Sequence, residues 1–286
     1  MPIFYASEVA ALLGLNKYKP TSEAMCRVIG SIAKFKPLIQ RIKDETGSQT
    51  EKEIVESAPD HVKESLEKAV VSSIGAKSEL EIVKMIETFK KETTESLLKN
   101  AIEGKSAPVE FCAAAERIRK NESTPEEEAR KLITTPTVEV ISQEIQKQRG
   151  TRMESSAEDK HAAATGKAIT NRGAPVRYEC AEYTIVGYID GMQDGSIVET
   201  KNRKRFWKEP PPYDMIQLKC YMKMKGNVGG ILLECFPSGE KRQTVLKWDE
   251  DTWSVIHRGL CKVALEIDNL DMATAEKLIR SVTKTD

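Results

Sequence analysis

Two strand-like segments joined by a short turn constrain the fold of this chain more than any other feature. Residues 183–189 are rich in β-branched and aromatic side chains, and residues 196–201 (Ser-Ile-Val-Glu-Thr-Lys) follow them closely. Asp194-Gly195 lies between the two segments, and this dipeptide is typical of tight hairpin turns. The sequence therefore predicts a β-hairpin in the second half of the chain.

Helices and further strands are predicted on both sides of this hairpin. Their order predicts an α/β fold in which helices flank a mixed central β-sheet. The predicted elements are a helix over 137–160 that ends by Gly166, a helix after Pro212, strands at 230–236 and 243–248 joined through Pro237-Ser238-Gly239, a helix capped by Asp249, and a short helix after Asp271.

The segment from residue 21 to residue 148 has a different character. It is rich in Glu, Lys, Ala and Ile, and its apolar residues keep helical spacing. Thr124-Pro125-Glu126-Glu127 is a typical helix start, with a cap, a proline in the first turn and a glutamate three residues after the cap. We therefore predict a core segment at 1–20, a large helical insertion at 21–148, and the rest of the core with C-terminal helices at 149–286.

Overall composition excludes some functional classes. Lysine plus arginine and aspartate plus glutamate each number 44, so nucleic-acid binding would need a local basic patch. The six cysteines form no C-x-x-C pair, which argues against zinc ribbons. No apolar run approaches the roughly 20 residues that span a bilayer. We expect an intracellular protein that does not act at a membrane.

Three charged residues of the hairpin are the candidate catalytic centre. Glu199 and Lys201 alternate along one strand, so they point to the same face. Asp190 precedes the turn, where its carboxylate can approach Glu199. Two neighbouring carboxylates are good ligands for Mg²⁺, and a bound metal can polarise a phosphate and activate water. A surface hairpin with an ordinary ion pair would show the same three residues.

Neighbouring residues favour the catalytic interpretation. Glu154 lies on the preceding helix and can add a carboxylate, with Glu158 one turn later as its rival. Gln217 and Tyr221 are four residues apart on the following helix and therefore share a face. A basic run with aromatic residues suits phosphate contacts and base stacking. Its members are Lys201, Asn202, Arg203, Lys204, Arg205 and Trp207.

These motifs together resemble the PD-(D/E)XK nuclease superfamily, and within it the lambda-exonuclease-type alkaline exonucleases of phages and large DNA viruses. Residues 187–191 (Gly-Tyr-Ile-Asp-Gly) resemble the G-x-x-D-G motif, and residues 199–201 resemble E-x-K. Residues 150–154 and 217–221 resemble the glycine-then-glutamate and Q-x-x-x-Y elements. Ile189 replaces the proline that names the superfamily, and the helical insertion is not part of the compact family pattern.

The resemblance implies specific roles for these residues. Asp190 and Glu199 would bind the metal with the backbone carbonyl of Thr200, and Glu154 would be an outer ligand. Lys201 would orient the attacking water, and Gln217 would support it. Ser7, in a segment that resembles the opening of the family, would contact a terminal 5′-phosphate, although a simple helix cap explains it equally well.

The resemblance also implies an activity. It is hydrolysis of linear double-stranded DNA from an end, in the 5′–3′ direction, with Mg²⁺ or alternatively Mn²⁺, in recombination or DNA processing of the viral or phage type. A homotrimer and a single-strand annealing protein as partner are expected by the same analogy. Two alternatives remain open: an endonuclease or resolvase with the same site, and a non-catalytic DNA-binding protein of the same fold.

Overall fold

The computed structural model describes residues 1–46, 49–76, 78–203, 206–236 and 240–283. The predicted turn at Pro237-Ser238-Gly239 and the basic residues Lys204 and Arg205 lie outside the described residues. Within the described residues, the strands are β1 (Ile3–Tyr5), β2 (Ala174–Glu179), β3 (Thr184–Ile189), β4 (Gly191–Gln193), β5 (Ser196–Asn202), β6 (Gly230–Cys235) and β7 (Lys241–Leu246).

Helices surround these strands in the sequence. In the described ranges they are α1 (Val9–Leu12), α2 (Thr21–Ser31), α3 (Lys36–Thr46), α4 (Glu51–Ser57), α5 (Asp60–Ile74), α6 (Glu79–Ile102), α7 (Val109–Arg119), α8 (Pro125–Leu132), α9 (Pro136–Thr165), α10 (Pro212–Met224), α11 (Glu250–Asp268) and α12 (Met272–Thr283). The fold is thus a mixed α/β fold. No helix in the described part of the chain is both long enough and apolar enough to cross a bilayer.

The chain divides into two compact units, Met1–Ser48 with Glu154–Asp286, and Gln49–Met153. We call the first the α/β unit and the second the helical unit. Residues 21–46, which the sequence places with the helical insertion, form α2 and α3 and belong to the α/β unit. There Ile29, Phe35 and Ile42 pack against Ala275 and Ile279 of α12. Apolar contacts to the end of the chain therefore hold this segment in the α/β unit.

The strands of the α/β unit form two sheets, which corrects the prediction of one central sheet. In the first sheet β3 lies between β1, which is parallel to it, and β2, which is antiparallel. The second sheet has the order β4-β5-β6-β7, with β5 and β6 parallel and the other pairs antiparallel. The two sheets separate at Asp190, because the backbone N–H of Thr200 bonds to the carboxylate of Asp190 instead of to a strand carbonyl.

The helices after the hairpin bury the apolar faces that their periodicity predicts. α10 connects the parallel strands β5 and β6, and it contributes Leu218, Cys220 and Met222 to the main core. α11 begins at the predicted cap, where Asp249 accepts a hydrogen bond from the N–H of Asp251 at 3.2 Å. α10 contacts both β5 and β6, and α11 packs against α10.

The helical unit has its own apolar core. Phe89, Leu97, Phe111, Ile141 and Ile145 are among its buried residues. The predicted helix start at Thr124 is confirmed, because the Thr124 hydroxyl accepts from the N–H of Glu127 and the Glu127 carboxylate accepts from the N–H of Thr124.

A buried carboxylate in the helical unit leads to a pH-dependent prediction. Arg117 donates to both oxygens of Glu128, at 3.2 and 2.6 Å, and these hydrogen bonds lower the pKa of Glu128 to about 2. A depressed pKa stabilises the fold above the ordinary carboxyl pKa of about 4.3, and this contribution is lost as the pH falls from there towards 2.

We therefore expect Glu128→Gln to lower the free energy of unfolding by about 1–2 kcal/mol at pH 7, a modest value because solvent reaches Arg117. The difference from wild type should shrink as the pH falls below about 4, as measured by urea unfolding. Glu126→Gln, at an exposed position of the same helix, is the control and should change little. A loss that stays constant down to pH 3 would contradict the ion-pair explanation.

Candidate active site

The predicted hairpin turn is present and sets the register of the candidate site. Asp194 and Gly195 have φ angles of 49° and 77°, as a turn with two left-handed residues requires. Gln193 pairs directly with Ser196, and Gly191 pairs with Val198. The hairpin prediction is therefore confirmed for β4 and β5. Asp190 lies one residue before β4 and is thereby held beside Glu199.

Asp190 is fixed by a backbone donor of the opposite strand. Its Oδ2 accepts a hydrogen bond from the N–H of Thr200 at 2.7 Å. Alternate N–H groups of β5 point towards β6, as Ile197 N–H does to the carbonyl of Gly229, so the N–H of Thr200 points towards the β4 edge. β4 has already ended there, and the carboxylate of Asp190 takes the place of the missing carbonyl.

The two glycines near Asp190 are needed for close packing. A Cβ on Gly187 would lie 2.7 Å from the ring of Tyr221, and a Cβ on Gly191 would lie 2.2 Å from Ile169. Both distances are well below van der Waals contact, so a side chain at either position would displace its neighbour. These contacts give a physical reason for both glycines of the G-x-x-D-G motif in this chain.

Glu199 and Lys201 share one face of β5, as their spacing predicts. The ammonium Nζ of Lys201 donates to Oε1 of Glu199 at 2.6 Å. Glu199 is only 1% exposed, and its Oε2 is buried without a hydrogen-bond partner among the described residues. A buried carboxylate oxygen without a donor is unfavourable, and a cation at this position would satisfy it.

Two further carboxylates come from α9. Burial raises the pKa of Glu154 to about 7, against the lowering effect of Lys201 and with a contribution from the charge of Asp190. Burial and the charge of Asp190 also raise the pKa of Glu158 to about 7. Glu158 additionally pairs with Arg172 at 3.3 Å. Glu154 interacts with Lys201 and Asp190, while Glu158 interacts with Asp190 and with the side chain of Thr200, so both carboxylates adjoin the candidate site.

The electrostatics of the cluster favour a bound cation. Burial raises the pKa of both Asp190 and Glu199, although the charge of Lys201 opposes this rise. Burial alone would lower the pKa of Lys201, but the charges of Glu199 and Asp190 raise it above its ordinary value. The lysine therefore stays charged, while the surrounding carboxylates outnumber it. Added positive charge would relieve their repulsion.

Gln217 and Tyr221 form one wall of the site. They lie on the same face of α10, and Nε2 of Gln217 donates to the hydroxyl of Tyr221 at 3.2 Å. Burial raises the pKa of Tyr221, and the charge of Glu199 adds to this effect. The tyrosine hydroxyl is therefore neutral and can act as a hydrogen-bond donor. Both residues stay predictions as site residues.

Arg203 lies in an internal ion-pair network, whereas its basic neighbours in the sequence predict a phosphate contact. Its side chain is buried, donating to Glu234 at 2.8 Å and to Asp214 at 2.7 Å. Arg242 donates to the other oxygen of Glu234 at 2.6 Å. Both oxygens of Glu234 are thus used by arginines. Arg203 lies in an internal ion-pair network and not on an open phosphate-binding surface.

This network also holds the loop after β5. Nη1 of Arg242 donates to the backbone carbonyls of Trp207 and Lys208 at 2.6 and 2.9 Å. Sequence reasoning missed Glu234, Asp214 and Arg242. The sequence signal for this network is an acidic residue, Glu234, inside the apolar run of β6. In the sheet, Glu234 pairs with Arg242 of β7.

An aromatic and cationic surface lies at the edge of the site. It consists of Lys17, Tyr18, Trp207 and Tyr213, and we call it the aromatic edge. Nζ of Lys17 lies 5.0 Å from the ring centroid of Tyr18 and 5.5 Å from that of Trp207. Tyr18 and Tyr213 meet edge to face at 6.0 Å. Burial and the charge of Asp214 raise the pKa of Tyr213, and the charge of Lys201 opposes this rise, so Tyr213 lies within electrostatic range of Lys201.

Ser7 and Asn202 are the remaining predicted site residues. Ser7 is exposed and lies in a 3-10 turn (Ala6–Glu8) that precedes α1. Neither this turn nor α1 has a side-chain cap, so the alternative of a Ser7 cap is wrong. The 3-10 turn is a tighter helical turn that leads into α1. α1 therefore starts only at Val9. Asn202 ends β5 and is half-buried.

The donor set fits a hard cation held partly by water. Mg²⁺ binds oxygen ligands and keeps several waters, so one or two carboxylates are sufficient to hold it. Asp190 and Glu199, with the unpartnered Oε2 of Glu199, meet this requirement. A separate group of potential metal ligands occurs among the described residues, away from Asp190 and Glu199. One ligand atom each of Glu182, His257 and Cys261 lies within 4.8 Å of the other two.

Of three comparisons with known proteins, only the comparison with solved structures gives matches. No protein-family model matches this chain, and no curated protein matches it. Among solved structures, it is similar to an alkaline exonuclease (LHK-Exo) from Laribacter hongkongensis, with 20% identity over 49% of this chain and 75% of that chain and a TM-score of 0.37.

Two further structures are similar to this chain. The same exonuclease in complex with dAMP gives 19% identity, 49% and 74% coverage and a TM-score of 0.36. A protein named SSO0001 gives 16% identity, 61% and 84% coverage and a TM-score of 0.32. All three TM-scores are below 0.5, so the resemblance to the exonucleases rests on the motifs of this chain. The chemistry of this chain is therefore argued from its own residues.

Proposed function

We propose that this chain is a metal-dependent nuclease that hydrolyses phosphodiester bonds of DNA. The observation that carries the proposal is the cluster on β5, where Glu199 and Lys201 share one face and Asp190 is held beside them by the N–H of Thr200. Glu154 adds a carboxylate from α9. The cluster combines a hard-cation donor set with a charged ammonium group, and both features suit phosphodiester hydrolysis.

The residues divide the work between binding and charge stabilisation. Asp190, Glu199 and the carbonyl of Thr200 would hold Mg²⁺ or Mn²⁺, with Glu154 as an outer ligand. The bound ion would polarise the phosphate and lower the pKa of a water molecule. Lys201 would orient that water through its ammonium group and stabilise negative charge on the phosphate oxygens. Gln217 and Tyr221 would position polar groups next to the same water.

The aromatic edge is proposed to bind the substrate strand. Stacking of a base on an aromatic ring contributes about 1–3 kcal/mol and tolerates any base sequence. Trp207 and Tyr18 provide such rings, and Lys17 provides a positive charge between them. Asn202 ends β5 and lies between Lys201 and Trp207 in the sequence. Ser7 remains a proposed contact for a terminal phosphate, and Lys204 and Arg205 remain proposed phosphate contacts.

The finer features of the proposal come from the motif resemblance. They are degradation from an end in the 5′–3′ direction, a role in recombination or DNA processing, a homotrimer, and a single-strand annealing protein as partner. The site residues do not determine these features, because an endonuclease would use the same carboxylates and lysine.

One assay distinguishes these possibilities. End-labelled linear duplex, relaxed circular duplex and single-stranded DNA are incubated with the wild-type chain in Mg²⁺, and with Trp207→Ala in parallel. We expect degradation of the linear duplex, no cleavage of the circle, and a KM that Trp207→Ala raises about tenfold. Cleavage of the circle would favour the endonuclease alternative. Binding without hydrolysis of any DNA form, in Mg²⁺ or Mn²⁺, would favour the binding protein and contradict the proposal.

A further inference from the structure

A second group of potential metal ligands lies in the α/β unit, formed by residues other than those of the candidate nuclease site. One ligand atom each from Glu182, His257 and Cys261 lies within 4.8 Å of the other two. His257 and Cys261 are four residues apart on α11, so their side chains share a helix face. Glu182 lies between β2 and β3. The wide separation of these residues in the sequence conceals the cluster.

The sulfur and nitrogen atoms already have the spacing of two ligands on one zinc ion. Sγ of Cys261 lies 3.7 Å from Nε2 of His257. Zinc binds thiolate sulfur at about 2.3 Å and imidazole nitrogen at about 2.0–2.1 Å, so tetrahedral geometry places the two atoms about 3.6 Å apart. Because Sγ lies nearly as far, 3.8 Å, from Nδ1, the Cys261 side chain would have to rotate towards the lone pair of Nε2 for one ion to bind both atoms.

The histidine ring is oriented by a partner on its other nitrogen. Nδ1 of His257 lies 2.6 Å from the hydroxyl of Tyr183, which is a fully buried residue. Metal-bound histidines are held in the same way, with one nitrogen on the ion and the other in a hydrogen bond that fixes the ring. In this arrangement Nε2 is the nitrogen available to an ion, and it is one of the two nitrogens close to Cys261.

We propose that Glu182, His257 and Cys261 form a zinc site, with the fourth position taken by water. Sulfur, imidazole and carboxylate together suit Zn²⁺ and not Mg²⁺, which prefers oxygen ligands. The ion would join the β2–β3 turn to α11 and so stabilise the sheet that carries β3. The proposal does not depend on the nuclease function, because the two sites share no residue.

Cobalt titration of the metal-stripped full chain tests this proposal. Co²⁺ substitutes for Zn²⁺, and its bond to a thiolate produces an absorption band that carboxylate ligands do not. We expect one equivalent of Co²⁺ to produce this band, Zn²⁺ to remove it, and excess Mg²⁺ to leave it unchanged. Cys261→Ser should abolish the band. Glu182→Gln should weaken Co²⁺ binding on the order of tenfold, as loss of a ligand or its support typically does.

The controls separate ligand loss from misfolding. Glu182 is exposed, so Glu182→Gln should fold normally, and circular dichroism of each variant checks this. Cys112→Ser, at an exposed cysteine of the helical unit, should retain the band, and so should Asp190→Asn. Zn²⁺ should raise the Tm of wild type more than that of Glu182→Gln. Absence of the thiolate band in wild type, or its persistence in folded Cys261→Ser, would overturn the proposal.

Discussion

Replacing Lys201 by glutamine is expected to reduce kcat for DNA hydrolysis by about 100-fold or more, while substrate binding changes little. The ammonium group is the positive charge that Glu199 and Asp190 hold at the candidate site. Its loss removes a charge that acts on the developing negative charge of the phosphate, and such groups typically contribute factors of about 10²–10³ in kcat. Single-turnover kinetics on end-labelled duplex measure the effect separately from DNA binding.

Lys19 offers an unusually close control. Its Nζ bonds to the buried Glu8 at 2.8 Å, and the side-chain exposures of this pair are 25% and 3%. The corresponding values for Lys201 and Glu199 are 2.6 Å, 22% and 2%. Lys19→Gln should leave kcat near the wild-type value, and it should lower stability less than Lys201→Gln because Arg27 also pairs with Glu8 at 2.5 Å. Equal loss of activity in both variants would assign to Lys201 a structural role only.

Replacing Glu234 by glutamine is expected to cause the largest loss of stability. Glu234 is fully buried and accepts hydrogen bonds from both Arg203 and Arg242. Without its charge, Arg203 would keep Asp214 as its acidic partner in the described network, and Arg242 would keep the carbonyls of Trp207 and Lys208 but no carboxylate. Breaking a buried ion pair by removing one partner costs about 3–5 kcal/mol. We expect a decrease of about 3 kcal/mol in the free energy of unfolding, measured in guanidinium chloride.

The exposed pair of Arg177 and Glu179 provides the matched control. Both side chains are more than half exposed, and the pair lies on a strand of the same unit. Exposed ion pairs contribute about 0–1 kcal/mol, so Glu179→Gln should have a small effect. If Glu234→Gln were no more destabilising than Glu179→Gln, the network would not be what holds the loop after β5.

The parts of the fold that were predictable from sequence depend on local interactions. Asp194-Gly195 determines a two-residue turn by its backbone preferences alone, and this turn places Asp190 beside β5. The apolar periodicity of α11 and the cap at Asp249 are equally local. The alternation of side chains then places Glu199 and Lys201 on one face. Short-range rules were therefore sufficient to bring together the centre of the candidate site.

The features that were missed depend on distant partners. β2 includes Pro175, Arg177 and Glu179, so its composition does not indicate a strand, and it forms by pairing with β3. Arg203 was grouped with its basic neighbours because its partner Glu234 lies 31 residues away. α2 and α3 join the α/β unit through contacts with α12 at the other end of the chain. No local pattern encodes such contacts.

Asp190 is proposed to belong to a metal-dependent catalytic site, and one hydrolysis assay tests this role. Release of label from linear duplex DNA is measured in Mg²⁺ and in EDTA for wild type, Asp190→Asn and Asp194→Asn. Asp194 is the control because it lies in the same hairpin at a φ of 49°, which asparagine also tolerates. We predict Mg²⁺-dependent release by wild type and Asp194→Asn, and almost none by Asp190→Asn. Equal release by Asp190→Asn, or release that persists in EDTA, would contradict the account.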